Sequence, residues 1–233
     1  MKTCLTLSAI LTLGLSLAVF TPAPTARAGG FTNIKPASFK VEGVRYWRKK
    51  AGEATLGAVG MKMSPMAGKN YFQRVQAAPA DMFKVKASDP YVITSAQRKK
   101  FGGKVAVQLG PVNVDGGAQG QGNFKAQYAA IRLSIDLSRL KKGGLAYETN
   151  RHPKHLTALK DQGKKARMIS EVWVLVEGSE TNMQCLNGKL DASVFGDTLK
   201  VGLSGKGCSR NTLEIPPGAV LAYSMVKVDA WDN

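Results

Sequence analysis

The sequence predicts an α+β fold, a twisted and mainly antiparallel β-sheet with long hairpins and one or two helices. Apolar and polar residues alternate along much of 105–137 and 190–203, which is the period of a half-buried strand. The run 168–176 is almost continuously apolar, which is typical of a strand buried on both faces. Turn-forming residues separate these runs, and helical periodicity is clearest within 140–167.

Residues 1–28 are predicted to be a secretory signal peptide. Lys2 precedes an apolar run over 5–20, and the tripeptide Ala-Arg-Ala at 26–28 has the small-x-small pattern of a cleavage site. The run is short and contains serine and threonine, which argues against a membrane anchor. We therefore expect residues 29–233 to form a single mature β-rich domain that is periplasmic or secreted by a bacterium.

The mature domain is expected to be strongly basic. The whole chain carries 33 Lys and Arg against 16 Asp and Glu, a net charge of +17, and removal of Lys2 and Arg27 with the signal peptide leaves +15. Such a charge favours an anionic partner, either an anionic lipid or another polyanion. A soluble exported protein with many solvated lysines is the alternative explanation.

Three short clusters of Lys and Arg are the candidate membrane- or anion-binding positions. The first surrounds Tyr46 and Trp47, and aromatic rings beside cations are typical of proteins that settle at a lipid headgroup layer. A strand end with a buried aromatic ring and solvated lysines is the alternative for this cluster. The candidate positions are Arg45, Arg48, Lys49, Lys50, Arg98, Lys99, Lys100, Lys164, Lys165 and Arg167.

Short elements are predicted between these clusters. Residues 70–77 are expected to form one or two helical turns that end before Pro79. The glycine-rich tract 115–122 lacks the lysine and hydroxyl of a phosphate-binding loop, and it predicts a flexible hairpin connection. The apolar alternation changes phase at Ala129 and Ala130, which predicts a β-bulge.

The sequence contains no recognisable catalytic or metal-binding motif. It lacks a GxSxG elbow, an HExxH motif and a free cysteine beside a histidine, so we predict no enzyme activity and no catalytic residues. His152 and His155 are three residues apart, but Pro153 lies between them and no carboxylate or thiol partner is evident. We therefore predict no bound metal, no cofactor and no specific nucleic-acid partner.

The last third of the chain, 168–228, has the pattern of four consecutive strands. Gly196 and Asp197 fit the two-residue turn of a hairpin, and in that register three apolar pairs share one face. A shift by one residue would separate these pairs. They are Val194 with Leu199, Ala192 with Val201, and Leu190 with Leu203.

Two cysteines, Cys185 and Cys208, remain after the predicted signal peptide, which contains Cys4. The hairpin register places them opposite each other, at a cross-strand separation that a disulfide can span. An oxidising compartment favours that bond. We therefore predict a disulfide between Cys185 and Cys208.

Four features follow one another along 150–228. They are a basic helix ending in Gly-Lys-Lys-Ala-Arg (163–167), a strand with Ser-Glu-Val (170–172), a glycine- and serine-rich hairpin region, and the run Leu-Glu-Ile-Pro-Pro-Gly-Ala-Val-Leu-Ala-Tyr (213–223). In this order they resemble the pore-forming domain of the gasdermin family, which has a Thr-Glu-Val strand and an Ile-Pro-x-Gly-x-x-Leu-Ala-Phe segment.

The resemblance implies a twisted antiparallel sheet whose β-hairpins lengthen and insert into acidic membranes as oligomeric pores, and thus a homo-oligomer. Together with the charge, it leads us to expect an exported, basic, membrane-active protein that forms pores in acidic membranes through its hairpins. The alternative is a non-enzymatic periplasmic or secreted module that binds an anionic ligand or an envelope polymer.

Overall fold

β-Strands make up most of the regular structure in the computed structural model, which describes residues 27–28, 30–64, 70–77, 84–102, 106–108, 127–136, 153–179, 185–186, 189–195, 198–205, 208–216 and 218–227. The helices are α1 (Ser95–Lys100) and α2 (Pro153–Asp161), and 3₁₀ turns lie at Ala51–Glu53 and Gly163–Lys165. The strands are β1 (Arg27–Ala28), β2 (Phe31–Thr32), β3 (Ser38–Val41), β4 (Val44–Trp47), β5 (Val59–Met63), β6 (Tyr71–Gln76), β7 (Val85–Ala87), β8 (Tyr91–Val92), β9 (Val107–Gln108), β10 (Gln127–Ile135), β11 (Ala166–Gly178), β12 (Lys189–Phe195), β13 (Thr198–Gly205), β14 (Cys208–Ile215) and β15 (Val220–Lys227). Most of the predicted signal peptide, the tract 115–122 and His152 lie outside the described residues.

These strands belong to one open sheet in which most neighbours are antiparallel. Its longest path runs β14-β13-β12-β7-β10-β11-β15-β4-β3-β2, and the shorter strands β1, β5, β6, β8 and β9 pair beside this path. Within the described ranges, parallel pairing is confined to β1 with β8 and β9 with β11. The predicted α+β class with a mainly antiparallel sheet is therefore confirmed.

Strand β11 lies at the centre of the sheet. It pairs with β10 and β15 along most of its length, and with β5 and β9 near its two ends. Val172 and Val174 belong to one hydrophobic core, whereas Trp173 and Leu175 belong to a second core on the opposite face. The prediction that 168–176 is a strand buried on both faces is confirmed.

The second core is built around the indole ring of Trp173. The rings of Phe31, Phe39, Tyr46 and Tyr91 lie 5.2–6.3 Å from it, each in an edge-to-face arrangement. Such pairs contribute about 0.5–1.5 kcal/mol each beyond the burial of their area. Strand β4 pairs with β15 at a single position. Aromatic packing around Trp173 therefore contributes much of what holds β2, β3 and β4 to the rest of the sheet.

Strand β10 also contributes to both cores. Ala129, Ile131 and Leu133 belong to the first core, and Ala130 belongs to the second. Strands β10 and β11 pair across 127–134 without a register shift. The β-bulge predicted at Ala129 and Ala130 is therefore wrong. The apolar pattern changes phase there because both faces of the strand are buried.

The helical turns predicted for 70–77 are also wrong, because this segment forms β6. Strand β6 pairs with β5, and Phe72 is buried in the first core. Helix α2 packs against β5, β6 and β11 on this side of the sheet. Tyrosine, phenylalanine and valine suit a half-buried strand, and pairing with β5 decides the conformation.

The β12–β13 hairpin has the predicted register, with Val194 opposite Leu199, Ala192 opposite Val201 and Leu190 opposite Leu203. The segment 168–228 forms five described strands instead of the four predicted. Pro216 follows β14, and Gly218 has a φ of 93° before β15, so the chain turns between two strands there. Cys185 is buried in the first core and Cys208 begins β14, and their disulfide stays a prediction.

Gly60 lies where β5 and β6 approach too closely for a side chain. A Cβ atom there would be 2.0 Å from the carbonyl oxygen of Gln73 and 2.8 Å from Phe72 Cζ. We expect Gly60→Ala to lower the free energy of unfolding by about 3 kcal/mol, because the backbone of β6 would have to move.

Urea denaturation of this variant beside Gly202→Ala measures the effect. A Cβ atom at Gly202, in β13, would meet the Asp191 carbonyl oxygen at 3.5 Å, which is an ordinary contact. Equal stability of the two variants would contradict the close approach at Gly60.

Candidate anion-binding surface

A buried arginine joins the first two predicted basic clusters. Arg48 follows β4, is 7% exposed, and donates hydrogen bonds to the carbonyl oxygens of Lys35 (3.0 Å), Lys100 (3.4 Å) and Phe101 (2.6 Å). Its guanidinium also lies 5.4 Å from the centre of the Phe101 ring. Burial lowers the pKa of Arg48 from its ordinary value. Arg48 therefore holds the two clusters together and contacts the protein interior instead of a ligand.

The other cations of the first cluster are exposed and lie over aromatic rings. The Arg45 guanidinium is 5.6 Å from the centre of the Trp47 ring. Lys49 Nζ and Lys50 Nζ are 4.6 and 5.2 Å from the centre of the Tyr71 ring. Such a contact contributes about 0.5–1 kcal/mol at an exposed site. Because a ring carries no net charge, these contacts orient the three cations without neutralising them, and Lys50 also pairs with Glu53 at 3.5 Å.

The two aromatic residues inside this cluster differ in exposure. Tyr46 is fully buried in the second core, which agrees with the alternative interpretation of a strand end with a buried ring. Trp47 is partly exposed beneath Arg45. The interfacial interpretation is therefore wrong for Tyr46 and stays a prediction for Trp47.

Helix α1 carries the second cluster. At its start, Thr94 Oγ1 accepts a hydrogen bond from the Gln97 N–H, and Gln97 Oε1 accepts one from the Thr94 N–H. The two lysines that end the helix are exposed, and the Arg98 guanidinium lies 3.8 Å from the centre of the Tyr128 ring. The sequence analysis did not predict this helix, although its Thr-x-x-Gln capping box is visible in the sequence.

The hydroxyl of Tyr223 positions the first cluster over β6. It accepts a hydrogen bond from the Phe72 N–H (2.7 Å) and donates one to the Lys49 carbonyl oxygen (3.0 Å). Tyr71, the neighbour of Phe72, thereby lies beside Lys49 and Lys50. The Tyr223 side chain is fully buried, and this burial raises its pKa to about 12.

The third predicted cluster lies at the start of β11. Lys164 and Lys165 are exposed in a 3₁₀ turn. The Arg167 guanidinium donates hydrogen bonds to the carbonyl oxygens of Lys164 (3.1 Å) and Ala166 (2.7 Å). Different elements therefore hold this cluster and the first two.

The β5–β6 hairpin connects the third cluster with the first. Ala166, beside Arg167, pairs with Met61 of β5. Met63, two residues along the same strand, pairs with Tyr71, the residue beneath the first cluster. Two residues of an antiparallel strand span about 7 Å. Along β5, the residue that pairs with the start of β11 is therefore only two residues from the one that pairs with Tyr71.

Acidic side chains close to these clusters are engaged within the protein. The Tyr46 hydroxyl donates a hydrogen bond to Glu171 (2.5 Å), and the Tyr128 hydroxyl donates one to Glu177 (2.6 Å). Burial, with this bond to Glu171, raises the pKa of Tyr46 to about 12, and the bond to Glu177 raises that of Tyr128. Further contacts join Glu42 to Tyr91 and Arg132, Glu53 to Lys50, Asp136 to Lys86, and Glu214 to Lys200. Excess positive charge is therefore left on the exposed lysines and arginines.

Two kinds of feature are absent from the part of the chain that the structure describes. No helix there has both the length and the hydropathy needed to cross a membrane. The same residues contain no group of three or more His, Cys, Asp or Glu side chains placed to hold a metal ion.

No protein-family model, curated protein or solved structure matches this chain. The resemblance to the gasdermin pore-forming domain therefore rests on residue patterns alone and stays a prediction.

The structure joins, through Arg48, the two backbone segments that carry six of the predicted positions. We call this set the basic surface. Tyr71 and Tyr128, the rings beside these cations, were not predicted, and neither was the Tyr223 hydroxyl that contacts the Phe72 and Lys49 backbones. The basic surface consists of Arg45, Lys49, Lys50, Arg98, Lys99 and Lys100.

Replacing Arg48 tests whether it holds the surface together. Arg48→Met keeps most of the apolar stem but leaves the carbonyl oxygens of Lys35 and Phe101 without their donor. We expect the free energy of unfolding to fall by about 2–4 kcal/mol, because hydrogen bonds from a charged donor are lost at a buried site. Arg45→Met, which removes an exposed cation over a ring, is the matched control and should cost about 1 kcal/mol or less. Urea unfolding curves that coincide for the two variants would contradict the role of Arg48.

Alkaline pH tests the burial of Tyr46 and Tyr223. Their folded-state pKa of about 12 lies above the ordinary value of 10.0, so their protons are held by the fold. The resulting stabilisation is complete below pH 10 and is lost as the pH rises from 10 through 12. We expect urea unfolding midpoints to fall over this interval, and to fall less in the double variant Tyr46→Phe/Tyr223→Phe. Phenolate absorbance that titrates completely around the ordinary pKa of 10.0, in a protein that is still folded, would show that these hydroxyls are not buried.

Proposed function

We propose that this exported protein binds anionic membrane surfaces through the basic surface. The observation that carries the proposal is the joining of two basic segments, about fifty residues apart in the chain, by the buried guanidinium of Arg48. The two joined segments carry exposed lysines, and the partly exposed rings of Trp47, Tyr71 and Tyr128 lie beside their cations. Lipid headgroup layers present phosphate oxygens to cations and an amphipathic boundary to tryptophan and tyrosine rings.

The electrostatic attraction between these cations and an anionic bilayer is sufficient for reversible binding. Each basic residue near an anionic bilayer contributes about 1 kcal/mol at physiological ionic strength. Six such residues, with some entropy lost on ordering their side chains, support binding with a dissociation constant of about 0.1 mM. The third cluster, Lys164, Lys165 and Arg167, extends the same attraction from the other end of β5.

A membrane-active role with pore formation, as in the gasdermin family, is the extended form of this proposal. Strands β12, β13 and β14 form consecutive hairpins, and β12 joins the rest of the sheet through two residue pairs with β7. Few backbone hydrogen bonds therefore tie these hairpins to the remaining described strands. In this form the hairpins insert after the basic surface has docked.

A second candidate, a binding module for a soluble or envelope polyanion, is favoured by a different observation. The exposed large apolar side chains of the described residues are Val44, Val75 and Val92, which lie on three different strands. Separate valines of this kind provide no apolar patch for insertion. Sulfate or phosphate groups on a polymer would contact the same lysines without requiring one.

Vesicle co-sedimentation tests the proposal. We expect the protein to bind vesicles that contain phosphatidylglycerol, to ignore phosphatidylcholine vesicles, and to dissociate from the former as salt is added. The triple variant Lys49→Gln/Lys50→Gln/Lys99→Gln should bind roughly a hundredfold more weakly.

A control variant with the same change in charge is Lys84→Gln/Lys86→Gln/Lys200→Gln, which alters β7, the residue before it and β13. It should retain most of the affinity, because these lysines lie outside the basic surface. Equal weakening of both variants would mean that overall charge, and no particular surface, drives binding. Leakage of a trapped dye would support the pore-forming extension, whereas binding to dextran sulfate but not to vesicles would support the second candidate.

A further inference from the structure

Arg48 carries a buried positive charge that no carboxylate of the described residues neutralises. The acceptors of its guanidinium are the carbonyl oxygens of Lys35, Lys100 and Phe101. None of the ion pairs within the described ranges includes Arg48. Carbonyl oxygens orient a cation but have no net charge. Because an ion is costly to bury without an opposite charge beside it, this position favours an anion.

One donor of the same guanidinium lacks an acceptor. Arg48 is 7% exposed, its Nε atom is enclosed by the protein, and no atom of the residues that the structure describes accepts a hydrogen bond from this nitrogen. The N–H groups of a guanidinium lie in one rigid plane, so the carbonyl oxygens that hold its two terminal nitrogens also fix the direction of the Nε–H. A buried donor without an acceptor is destabilising. A ligand with lone pairs at this point would remove that cost.

The charges that surround Arg48 along the backbone are also positive. Lys49 and Lys50 follow it directly, and the two lysines that end α1 precede Phe101, which accepts its hydrogen bond. These four lysines are exposed, and Glu53 pairs with Lys50 at 3.5 Å. Cations grouped in this way raise the local positive potential, which attracts small anions.

We infer that Arg48 binds a halide ion, chloride under ordinary conditions, through its Nε–H. A water molecule would accept the hydrogen bond but leave the buried charge unbalanced, whereas an anion meets both needs. A monatomic ion accepts hydrogen bonds from any direction and needs little more room than a water molecule, which suits an enclosed donor. The ion is an interior counter-ion between the two joined segments, distinct from any ligand of the exposed lysines. This inference does not depend on the proposed function.

The indole nitrogen of Trp173 is also a buried donor without an acceptor among the described residues. Its side chain is neutral, and the edge-to-face rings of Phe31, Tyr46 and Tyr91 surround it. Ring faces are weak acceptors for an N–H group. Charge therefore distinguishes Arg48, where an anion is favoured, from Trp173, where nothing calls for a charged ligand.

The width of the chloride NMR line measures this binding directly, because the line broadens when chloride exchanges onto a slowly tumbling protein. We expect the unaltered protein to broaden the line in proportion to its concentration, and added bromide to reverse the broadening by competition. Arg48→Lys keeps the positive charge but has no donor at the Nε position, so it should lose most of the broadening. Lys99→Gln removes an exposed cation and is the control. It should broaden the line as the unaltered protein does.

Thermal unfolding of the unaltered protein gives a second measure, which does not require any variant to fold. At constant ionic strength, chloride should raise the unfolding midpoint by about 5 °C relative to gluconate, once chloride far exceeds its dissociation constant. Gluconate is too bulky to reach an enclosed donor. Equal midpoints in the two salts would overturn the inference and assign the Nε–H to water. Broadening that Arg48→Lys retains in full would also overturn it, because surface lysines would then be the source.

Discussion

The buried guanidinium of Arg48 is the interaction on which the arrangement of exposed charge depends. Carbonyl oxygens in a buried position need donors, and Arg48 supplies them to the segment before β3 and to the end of α1. Helix α1 has six residues, too few to be stable alone, so packing and capping determine where it lies. A cation at the C-terminal end of a helix is also favoured by the helix dipole. One interior cation therefore joins the two segments that carry six of the candidate cations.

The distribution of acids follows from the same packing. Tyr46 and Tyr128 donate hydrogen bonds to Glu171 and Glu177, so two carboxylates of β11 are turned toward tyrosines of β4 and β10. Arg132, which lies 5.9 Å from the Trp173 ring, is near Glu42 in the same region. These carboxylates are thus engaged close to the sheet, whereas Lys49, Lys99 and Lys100 are exposed. Strong net charge then becomes a property of the surface, where it acts on other molecules.

Local periodicity made part of this structure predictable, and long-range packing made the rest unpredictable. The register of β12 and β13 follows from a two-residue pattern around one turn, and the burial of β11 follows from its composition. The basic clusters could be found by inspection, but the burial of Arg48 depends on carbonyl oxygens from Lys35 and Phe101, which no local pattern associates with it. The helical turns predicted for 70–77 are wrong because this segment pairs with β5, which lies outside the local pattern. The rings beneath the cations were missed for the same reason.

Energies separate docking on a membrane from insertion into it. Six cations attract an anionic bilayer with about 1 kcal/mol each, which is adequate for docking. Detaching the β12–β14 hairpins would expose five aliphatic side chains of the first core, and each contributes about 1.5–3 kcal/mol by its burial. Their sum is on the order of 10 kcal/mol, close to the whole free energy of unfolding of a typical domain. Electrostatic attraction alone therefore does not release the hairpins. Insertion requires lipid chains to cover the five aliphatic side chains that the first core covers in the folded protein. They are Leu199, Val201, Leu203, Leu213 and Ile215.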